Sequence, residues 1–155
     1  MFARFDTQDS GNVSYGLRVG NNRFFVKTAG RVDDPAPTLS HVTRVELLRN
    51  AVELARVSHA AMPALHQVIE SPTGPMLVYD WFDGEMVHAE RAHRDDPGSA
   101  FQRFRALPVE RIAACLYTVF DLHVVLARAG WIAGDFYDGC LLYGFASTER
   151  RIIDL

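Results

Sequence analysis

Two stretches near the start of the chain predict strands: the first alternates, imperfectly, between apolar and polar residues, and the second has a run of aromatic and β-branched residues. They cover residues 13–19 and 23–27 and flank Gly20-Asn21-Asn22, a cluster of residues that favour turns. The pair therefore predicts a β-hairpin. Two further apolar stretches, 65–70 and 76–82, flank the turn-forming sequence Ser-Pro-Thr-Gly-Pro and predict two more strands.

Two longer segments have apolar residues at the spacing of an α-helix. The first begins at Thr38 or Ser40, either of which could cap a helix, and ends near Val57. The second begins at Pro108, which fits the first turn of a helix, and ends before Gly130. The apolar positions are Leu39, Val42, Val45, Leu48, Val52 and Ala55 in the first segment and Ile112, Leu116, Val119, Leu122 and Leu126 in the second. Both segments predict helices.

The remaining segments are polar or short. Residues 30–37 are rich in Gly, Asp and Pro and predict a loop, and so does the polar stretch that begins at Asp83, in which residues 99–105 predict a short helix. Near the end of the chain, residues 141–143 and 151–154 predict a second hairpin. Strands, one helix, more strands, a long helix and a hairpin together predict the α+β fold class.

The composition narrows the class of protein. With 155 residues, 48% of them hydrophobic and 23% charged, the chain has the composition of one soluble globular domain or part of one. Its net charge is −3 and its 16 basic residues are dispersed, which argues against nucleic acid as a partner. The two cysteines have no disulfide or metal spacing, and the start lacks the apolar core of a signal peptide. We therefore expect a cytoplasmic protein.

The apolar stretch 112–133 raises the question of a membrane span. Asp121, His123 and Arg128 interrupt it, and charged side chains within a bilayer are costly. The stretch therefore predicts a buried helix, and we expect no membrane partner.

Two carboxylates are the strongest candidates for chemistry. Asp135 lies in the loop before the last predicted hairpin and Asp154 at the end of its second strand, so the two stand at opposite ends of the hairpin. A phosphoryl-transfer site separates a proton-accepting carboxylate from a magnesium-binding one. The pair therefore fits phosphoryl transfer.

Weaker signals come earlier in the chain. Lys27 ends a strand from which its ammonium could reach a cleft, although lysines at strand ends are commonly solvated. The small residues Ser10, Gly11 and Asn12 precede the first hairpin. Backbone N–H groups in such a loop could approach phosphate oxygens, although any hairpin turn needs similar residues.

A helix and a connector supply two more candidates. Glu46 and Glu53 are seven residues apart and share a helix face, so either could form an ion pair with Lys27, or both could be solvated. Residues 80–85 follow a strand, and their main-chain groups could hydrogen-bond a planar base. The alternative is an ordinary linker.

These signals occur in an order that resembles the protein-kinase fold over the whole chain. Residues 25–27 (Phe-Val-Lys) are similar to the kinase strand that bears the lysine, and residues 78–85 are similar to the hinge. Residues 130–135 (Gly-Trp-Ile-Ala-Gly-Asp) resemble the entry to the catalytic loop, and residues 152–155 resemble the strand that enters the Asp-Phe-Gly segment. The sequence Asp-Phe-Tyr-Asp-Gly-Cys is similar to that of a group of bacterial serine/threonine kinase-like proteins.

The resemblance implies a fold and an activity. It implies a kinase N-lobe over residues 1–82, and over residues 83–155 the hinge, the long helix and the catalytic loop of an incomplete C-lobe. The implied activity is that of an ATP-dependent serine/threonine protein kinase, with ATP and Mg²⁺ as cofactors and a protein as substrate.

The resemblance also implies roles for individual residues. Lys27 would contact the α- and β-phosphates, paired with Glu46, which we prefer slightly to Glu53. Asp135 would accept the proton of the substrate hydroxyl and Asp154 would hold magnesium, so that these groups and Lys27 line one crevice. The residues that would border or hold the nucleotide are Ser10, Gly11 and Asn12 in the loop, and Tyr79, Asp80, Phe82 and Glu85 at the hinge.

The catalytic loop departs from the kinase pattern at three positions. Ala133 replaces a supporting histidine, and Tyr137 stands where protein kinases have a lysine that neutralises the transferring phosphoryl group. Cys140 replaces an asparagine that binds the second magnesium, and a thiol is a poor ligand for so hard an ion. Asp138 could supply the missing oxygen.

These departures leave two alternatives open. One is a pseudokinase, a regulatory module that binds nucleotide without transferring phosphate. The other is a small-molecule phosphotransferase of the aminoglycoside or choline type, which also carries Gly-Asp in this loop, as in Gly134-Asp135. Because kinases continue past the Asp-Phe-Gly segment, we expect the sequence to be part of a longer protein, or a partner or second copy to cover the apolar face of helix 108–129.

Overall fold

Two structural units make up the chain. The computed structural model describes residues 1–7, 10–33 and 38–155. The first unit comprises Met1–Arg56 and Ala64–Trp81, and the second comprises Val57–Pro63 and Phe82–Leu155. Of the predicted loop over residues 30–37, the part from 34 onward lies outside the described residues.

The first unit contains a five-stranded antiparallel sheet with the strand order β1-β2-β3-β5-β4. Its strands are β1 (Ala3–Phe5), β2 (Val13–Val19), β3 (Asn22–Thr28), β4 (Leu65–Ser71) and β5 (Gly74–Asp80). The structure confirms both predicted strand pairs, since β2 pairs with β3 and β4 pairs with β5. Strand β1 was not predicted, and β5 ends at Asp80 rather than at residue 82.

Helix α1 (His41–Leu54) packs on the sheet of the first unit. Ser40 caps it, because its side-chain oxygen accepts the N–H of Thr43 at 3.2 Å, as one of the two predicted caps. Leu48 of this helix is buried with Ala29 and Leu77 in the core between helix and sheet. The helix and the sheet thus stabilise each other through one apolar cluster.

The second unit is helical, with a small sheet. Its strands β6 (Glu85–Met86), β7 (Leu141–Tyr143) and β8 (Arg150–Ile152) are antiparallel and lie in that order. Its helices are α2 (Ala100–Arg105) and α3 (Val109–Arg128), with short 3₁₀ helices at Arg91–His93 and Asp138–Cys140. The structure therefore confirms the long helix, the short helix and the final hairpin, and shows an α+β chain with an antiparallel sheet. Strand β6 and the 3₁₀ helices were not predicted.

The buried face of α3 differs from the predicted one. Leu122 and Leu126 are buried as expected, but Cys115 lies inward while Leu116 is 54% exposed. Large apolar side chains such as Phe120 also stay exposed on this helix. Within the described residues, no helix is both long and apolar enough to cross a membrane.

The burial of Leu48 in the core of the first unit can be tested by measuring the free energy of unfolding. Truncation of Leu48 to Ala removes a fully buried side chain and leaves a cavity, so we expect a loss of about 2–5 kcal/mol in the free energy of unfolding. Leu47→Ala in the same helix is the matched control, because Leu47 is 44% exposed and should lose under about 1 kcal/mol. Urea denaturation measures both, and equal losses would contradict this description of the core.

Candidate functional site

Strand register fixes the sheet face on which Lys27 lies. Lys27 is paired with Ser14 of β2 on one side and with Leu77 of β5 on the other. Residues directly opposite each other in an antiparallel sheet share a face, and Leu77 belongs to the core under α1. The half-buried Lys27 therefore lies on the face of the sheet that α1 covers.

Two buried polar atoms at the end of the small-residue loop and the start of β2 have no hydrogen-bond partner among the described residues. The Asn12 side chain is 6% exposed and Ser14 is fully buried. Neither the Oδ1 atom of Asn12 nor the Oγ atom of Ser14 has a hydrogen-bond partner within the described part of the chain. Because buried polar atoms are nearly always satisfied, these two oxygens indicate a place where a polar ligand or water could bind. Asn12 belongs to the predicted phosphate loop, and Ser14 follows it at the start of β2.

Arg44 is a buried residue beside this loop that the sequence did not reveal. Its side chain is 1% exposed, although it lies on a helix where the predicted core residue Val42 is 67% exposed. Its guanidinium donates to the carbonyl oxygen of Gly11 at 2.6 Å and to that of Arg31 at 2.9 Å. Both acceptors are backbone atoms of loops, so no pattern of side chains in the sequence predicts these two hydrogen bonds.

Neither predicted partner of Lys27 forms an ion pair with it among the described residues. Glu46 is exposed, and among the described residues no ion pair joins it to Lys27. Glu53 forms an ion pair with Arg56 at 2.6 Å. The Lys27–Glu46 pair is therefore not formed in this structure, and a role for Glu46 in phosphoryl transfer stays a prediction.

The predicted hinge residues are divided between the two units. In the first unit, Tyr79 is half-buried. The N–H of Asp80 donates to the carbonyl of Ala64 at 3.3 Å, and its carboxylate Oδ1 lies 2.7 Å from Nε2 of His66. The N–H of Asp80 is therefore already engaged by the protein. That Tyr79 and Asp80 contact the base of a nucleotide stays a prediction.

In the second unit, the backbone of Phe82 makes no hydrogen bond to any described residue, so it is the hinge candidate with groups to offer a base. Glu85 forms an ion pair with Arg103, with its two oxygens 2.8 and 2.9 Å from Nη1. A contact between Glu85 and a ribose would have to compete with this pair, and it stays a prediction.

The catalytic-loop candidates lie in the second unit, just before β7. The loop is anchored on helix α3, because the ring of Phe136 packs edge-on against His123 at 4.8 Å between centroids. His123 in turn donates from Nδ1 to the carbonyl of Val119 at 2.7 Å. The loop ends in the 3₁₀ helix Asp138–Cys140, and Asp135 is left exposed to solvent.

The β7–β8 register corrects one geometric expectation. Leu141 is paired with Ile152, and the N–H of Ile153 donates to the carbonyl of Cys140 at 2.9 Å. The residues before β7 and after β8 therefore meet at the open end of the hairpin. Asp135 and Asp154 lie at the same end in space, not at opposite ends, because the antiparallel turn reverses the chain between them.

The pKa of Tyr137 depends on the negative charges at this end of the hairpin. Burial raises the pKa of its phenol above the ordinary value, and the negative charges of Cys140, Asp154, Asp135 and Asp138 raise the pKa further. All three candidate carboxylates are thus near enough to act on one ring. The arrangement concentrates negative charge, as expected where a magnesium ion would bind.

Asp138 has a partner that the sequence did not predict. Its Oδ1 atom lies 2.8 Å from Nδ1 of His88, and the His88 ring packs edge-on against Tyr137 at 5.8 Å. A carboxylate has two oxygens, so this contact leaves Oδ2 for another ligand. His88 and Asp138 are far apart in the sequence, which explains why no spacing pattern linked them.

The donor set suits magnesium by its chemistry. Asp138 and Asp154 offer hard carboxylate oxygens, and Mg²⁺ is usually held by one or two carboxylates together with phosphate oxygens and water. Across the described ranges, no group of three or more His, Cys, Asp or Glu side chains could by itself hold a metal ion. Asp138 and Asp154 therefore fit Mg²⁺ by the chemistry of their oxygens.

Lys27 belongs to the first unit, whereas Asp135 and Asp154 belong to the second. Their predicted convergence on one crevice stays a prediction. No protein-family model and no curated protein matches the chain.

The charge around Tyr137 can be measured by titration. The difference in absorbance near 295 nm between the wild type and Tyr137→Phe isolates this phenol, and we expect its pKa to lie above the value of an ordinary tyrosine. Because the folded-state pKa is raised, ionisation at high pH should also cost stability as the pH rises. Asp154→Asn should lower the pKa of Tyr137, since it removes one of the charges.

Asp121→Asn is the control for this titration. Asp121 belongs to the same unit but pairs with His59 at 3.1 Å and is not among the charges acting on Tyr137. A Tyr137 pKa that is unmoved in Asp154→Asn, or moved equally by both variants, would contradict the proximity of Asp154.

Proposed function

We propose that the chain carries the nucleotide-binding and catalytic-loop parts of a protein-kinase-like phosphotransferase, which transfers the γ-phosphoryl group of Mg·ATP to a protein hydroxyl. The observation that carries the proposal is the open end of the β7–β8 hairpin, where the N–H of Ile153 donates to the carbonyl of Cys140 and where the segments that carry Asp135, Asp138 and Asp154 meet. Proton acceptance and magnesium binding both need carboxylates, and this arrangement offers several.

Each carboxylate of the second unit has a role in the proposal. Asp135 is exposed and would accept the proton of the attacking hydroxyl. Asp154 and Asp138 would hold magnesium, Asp138 through the oxygen that His88 leaves available. The metal would supply charge neutralisation at the phosphate oxygens.

The first unit would bind the phosphates. Lys27, on the face of the sheet that α1 covers, would neutralise phosphate charge, and the loop at Ser10–Asn12 would donate backbone N–H groups. The side-chain oxygens of Asn12 and Ser14 have no hydrogen-bond partner in the part of the chain that the structure describes, which supports a polar ligand near this loop. A five-stranded antiparallel sheet braced by one helix also agrees with a kinase N-lobe.

One observation favours a second candidate function. Glu46 is exposed and does not pair with Lys27, and a tyrosine stands where kinases have a phosphate-neutralising lysine. Both features fit a regulatory module that binds nucleotide without transferring phosphate. This second candidate shares nucleotide binding with the first and differs only in transfer.

Phosphoryl transfer from radiolabelled ATP to serine- and threonine-containing peptides tests the proposal. We expect Asp135→Asn to lower the transfer rate by about 10²–10⁴-fold, because it removes the proton acceptor while keeping the shape of the side chain. Asp121→Asn, another exposed carboxylate of the same unit, should leave the rate unchanged.

The outcomes separate the candidates. Equal transfer by the wild type and Asp135→Asn would remove Asp135 from its role. Thermal stabilisation by Mg·ADP without any transfer would favour the regulatory module, since ligand binding stabilises a protein whether or not turnover occurs.

A further inference from the structure

The buried guanidinium of Arg44 needs an explanation beyond packing. Burial of a charge is costly, and the two carbonyl contacts leave its Nε atom without a hydrogen-bond partner among the described residues. An arginine that served only to fill space could be replaced by an apolar side chain without this cost. What the molecule gains from Arg44 should therefore lie in the two backbone oxygens that it holds.

The position of Arg44 in helix α1 adds to the free-energy cost of burying its charge. Its backbone N–H bonds to the carbonyl of Ser40, the capping residue, so Arg44 lies in the first turn. The unsatisfied N–H groups at that end carry partial positive charge, which disfavours a cation there. The helix itself gains nothing electrostatically from Arg44.

The contact with Gly11 fixes the direction of one peptide group. The Gly11 carbonyl belongs to the peptide that joins Gly11 to Asn12, and none of the described peptide bonds is cis. In a planar trans peptide the C=O and the N–H point in opposite directions. When Arg44 holds the Gly11 oxygen at 2.6 Å, the Asn12 N–H therefore points away from the guanidinium.

The Asn12 N–H is weakly engaged in this orientation. It donates to the Oγ atom of Ser10 at 3.4 Å, near the limit for a hydrogen bond. A phosphate oxygen is a much stronger acceptor and could replace this contact. The N–H is thus held in a fixed direction without a strong partner.

Packing alone does not fix this peptide. Gly11 has a φ of 82°, in the region that glycine adopts readily, and it lines a cavity of about 490 Å³ together with Gly30 and Arg31. The loop has free space beside it, so its carbonyl could turn outward if Arg44 were lost. The guanidinium is therefore the group that selects the observed peptide orientation.

We propose that Arg44 is a positioning residue, which orients the Gly11–Asn12 peptide so that the N–H of Asn12 faces a phosphate group of the nucleotide. The inference rests on the proposed function, in which this loop binds the phosphates of ATP. It adds that helix α1 controls phosphate affinity through a buried arginine on its first turn.

Binding of Mg·ADP and of adenosine to the whole chain, measured by calorimetry, tests the inference. In Arg44→Lys, one ammonium can hold one carbonyl but not both in the fork geometry of arginine. We expect affinity for Mg·ADP to fall about tenfold or more, the effect of losing a hydrogen bond to a charged group, while affinity for adenosine stays within about twofold. Arg49→Lys is the matched control on the same helix, because Arg49 is exposed and pairs with Glu70; it should change neither affinity.

A purely structural role would give a different result. If Arg44 only stabilised the fold, Arg44→Lys would weaken adenosine and Mg·ADP binding equally. That result, or an unchanged affinity for Mg·ADP, would overturn the inference.

The ligand-free amide NMR spectrum separates failure of the inference from failure of the proposed function. Arg44→Lys should shift the Asn12 amide resonance, and Arg49→Lys should not. An unmoved Asn12 resonance would overturn the inference. The resonance could shift although the wild type binds neither Mg·ADP nor adenosine. That result would support the contact between Arg44 and the Gly11–Asn12 peptide, and it would reject the proposed function and the phosphate ligand with it.

Discussion

The register of antiparallel strands decides where the chemistry-bearing groups of this protein lie. A slip of one residue between β3 and β5 would turn Lys27 to the opposite face of the sheet, away from Leu77 and the helix. In the second unit, pairing of β7 with β8 brings together the two ends of the hairpin, where Asp135 and Asp154 lie. The buried residues Leu77 and Ile152 hold these registers, because each would lose its burial if its strand slipped.

Several features of the candidate site cost stability without serving the core. Arg44 buries a cation near the positive end of a helix, Asn12 and Ser14 bury oxygens that have no partner among the described residues, and three carboxylates raise the pKa of Tyr137. Local arrangements that oppose stability are common where a protein binds a charged ligand, since the ligand supplies the missing partners. A magnesium–nucleotide complex carries both a cation for the carboxylates and phosphate oxygens for N–H groups.

The regular elements could be predicted from the sequence because their signals are local. Turn residues such as Gly20 and helical spacing of apolar residues locate the hairpins and the two main helices. Strand β1 escaped prediction because three residues gain their structure only by pairing with β2. The contacts of Arg44 and His88 could not be predicted for the same reason, since their partners lie in distant parts of the chain. The partners of Arg44 are also backbone oxygens, which leave no mark on the sequence. The fold class was thus accessible, but the contacts that shape the candidate site were not.

The central proposal is that Lys27 contacts the phosphates of a nucleotide and that Asp154 holds the magnesium ion bound to it. Calorimetric binding of ADP with and without Mg²⁺, to the wild type, Lys27→Met and Asp154→Asn, tests it most directly. The account predicts that Lys27→Met weakens ADP binding in both conditions, because it removes a phosphate contact. It predicts that Asp154→Asn weakens binding only when Mg²⁺ is present. Wild-type affinity for Mg·ADP in both variants, or no binding of ADP by the wild type, would contradict the account.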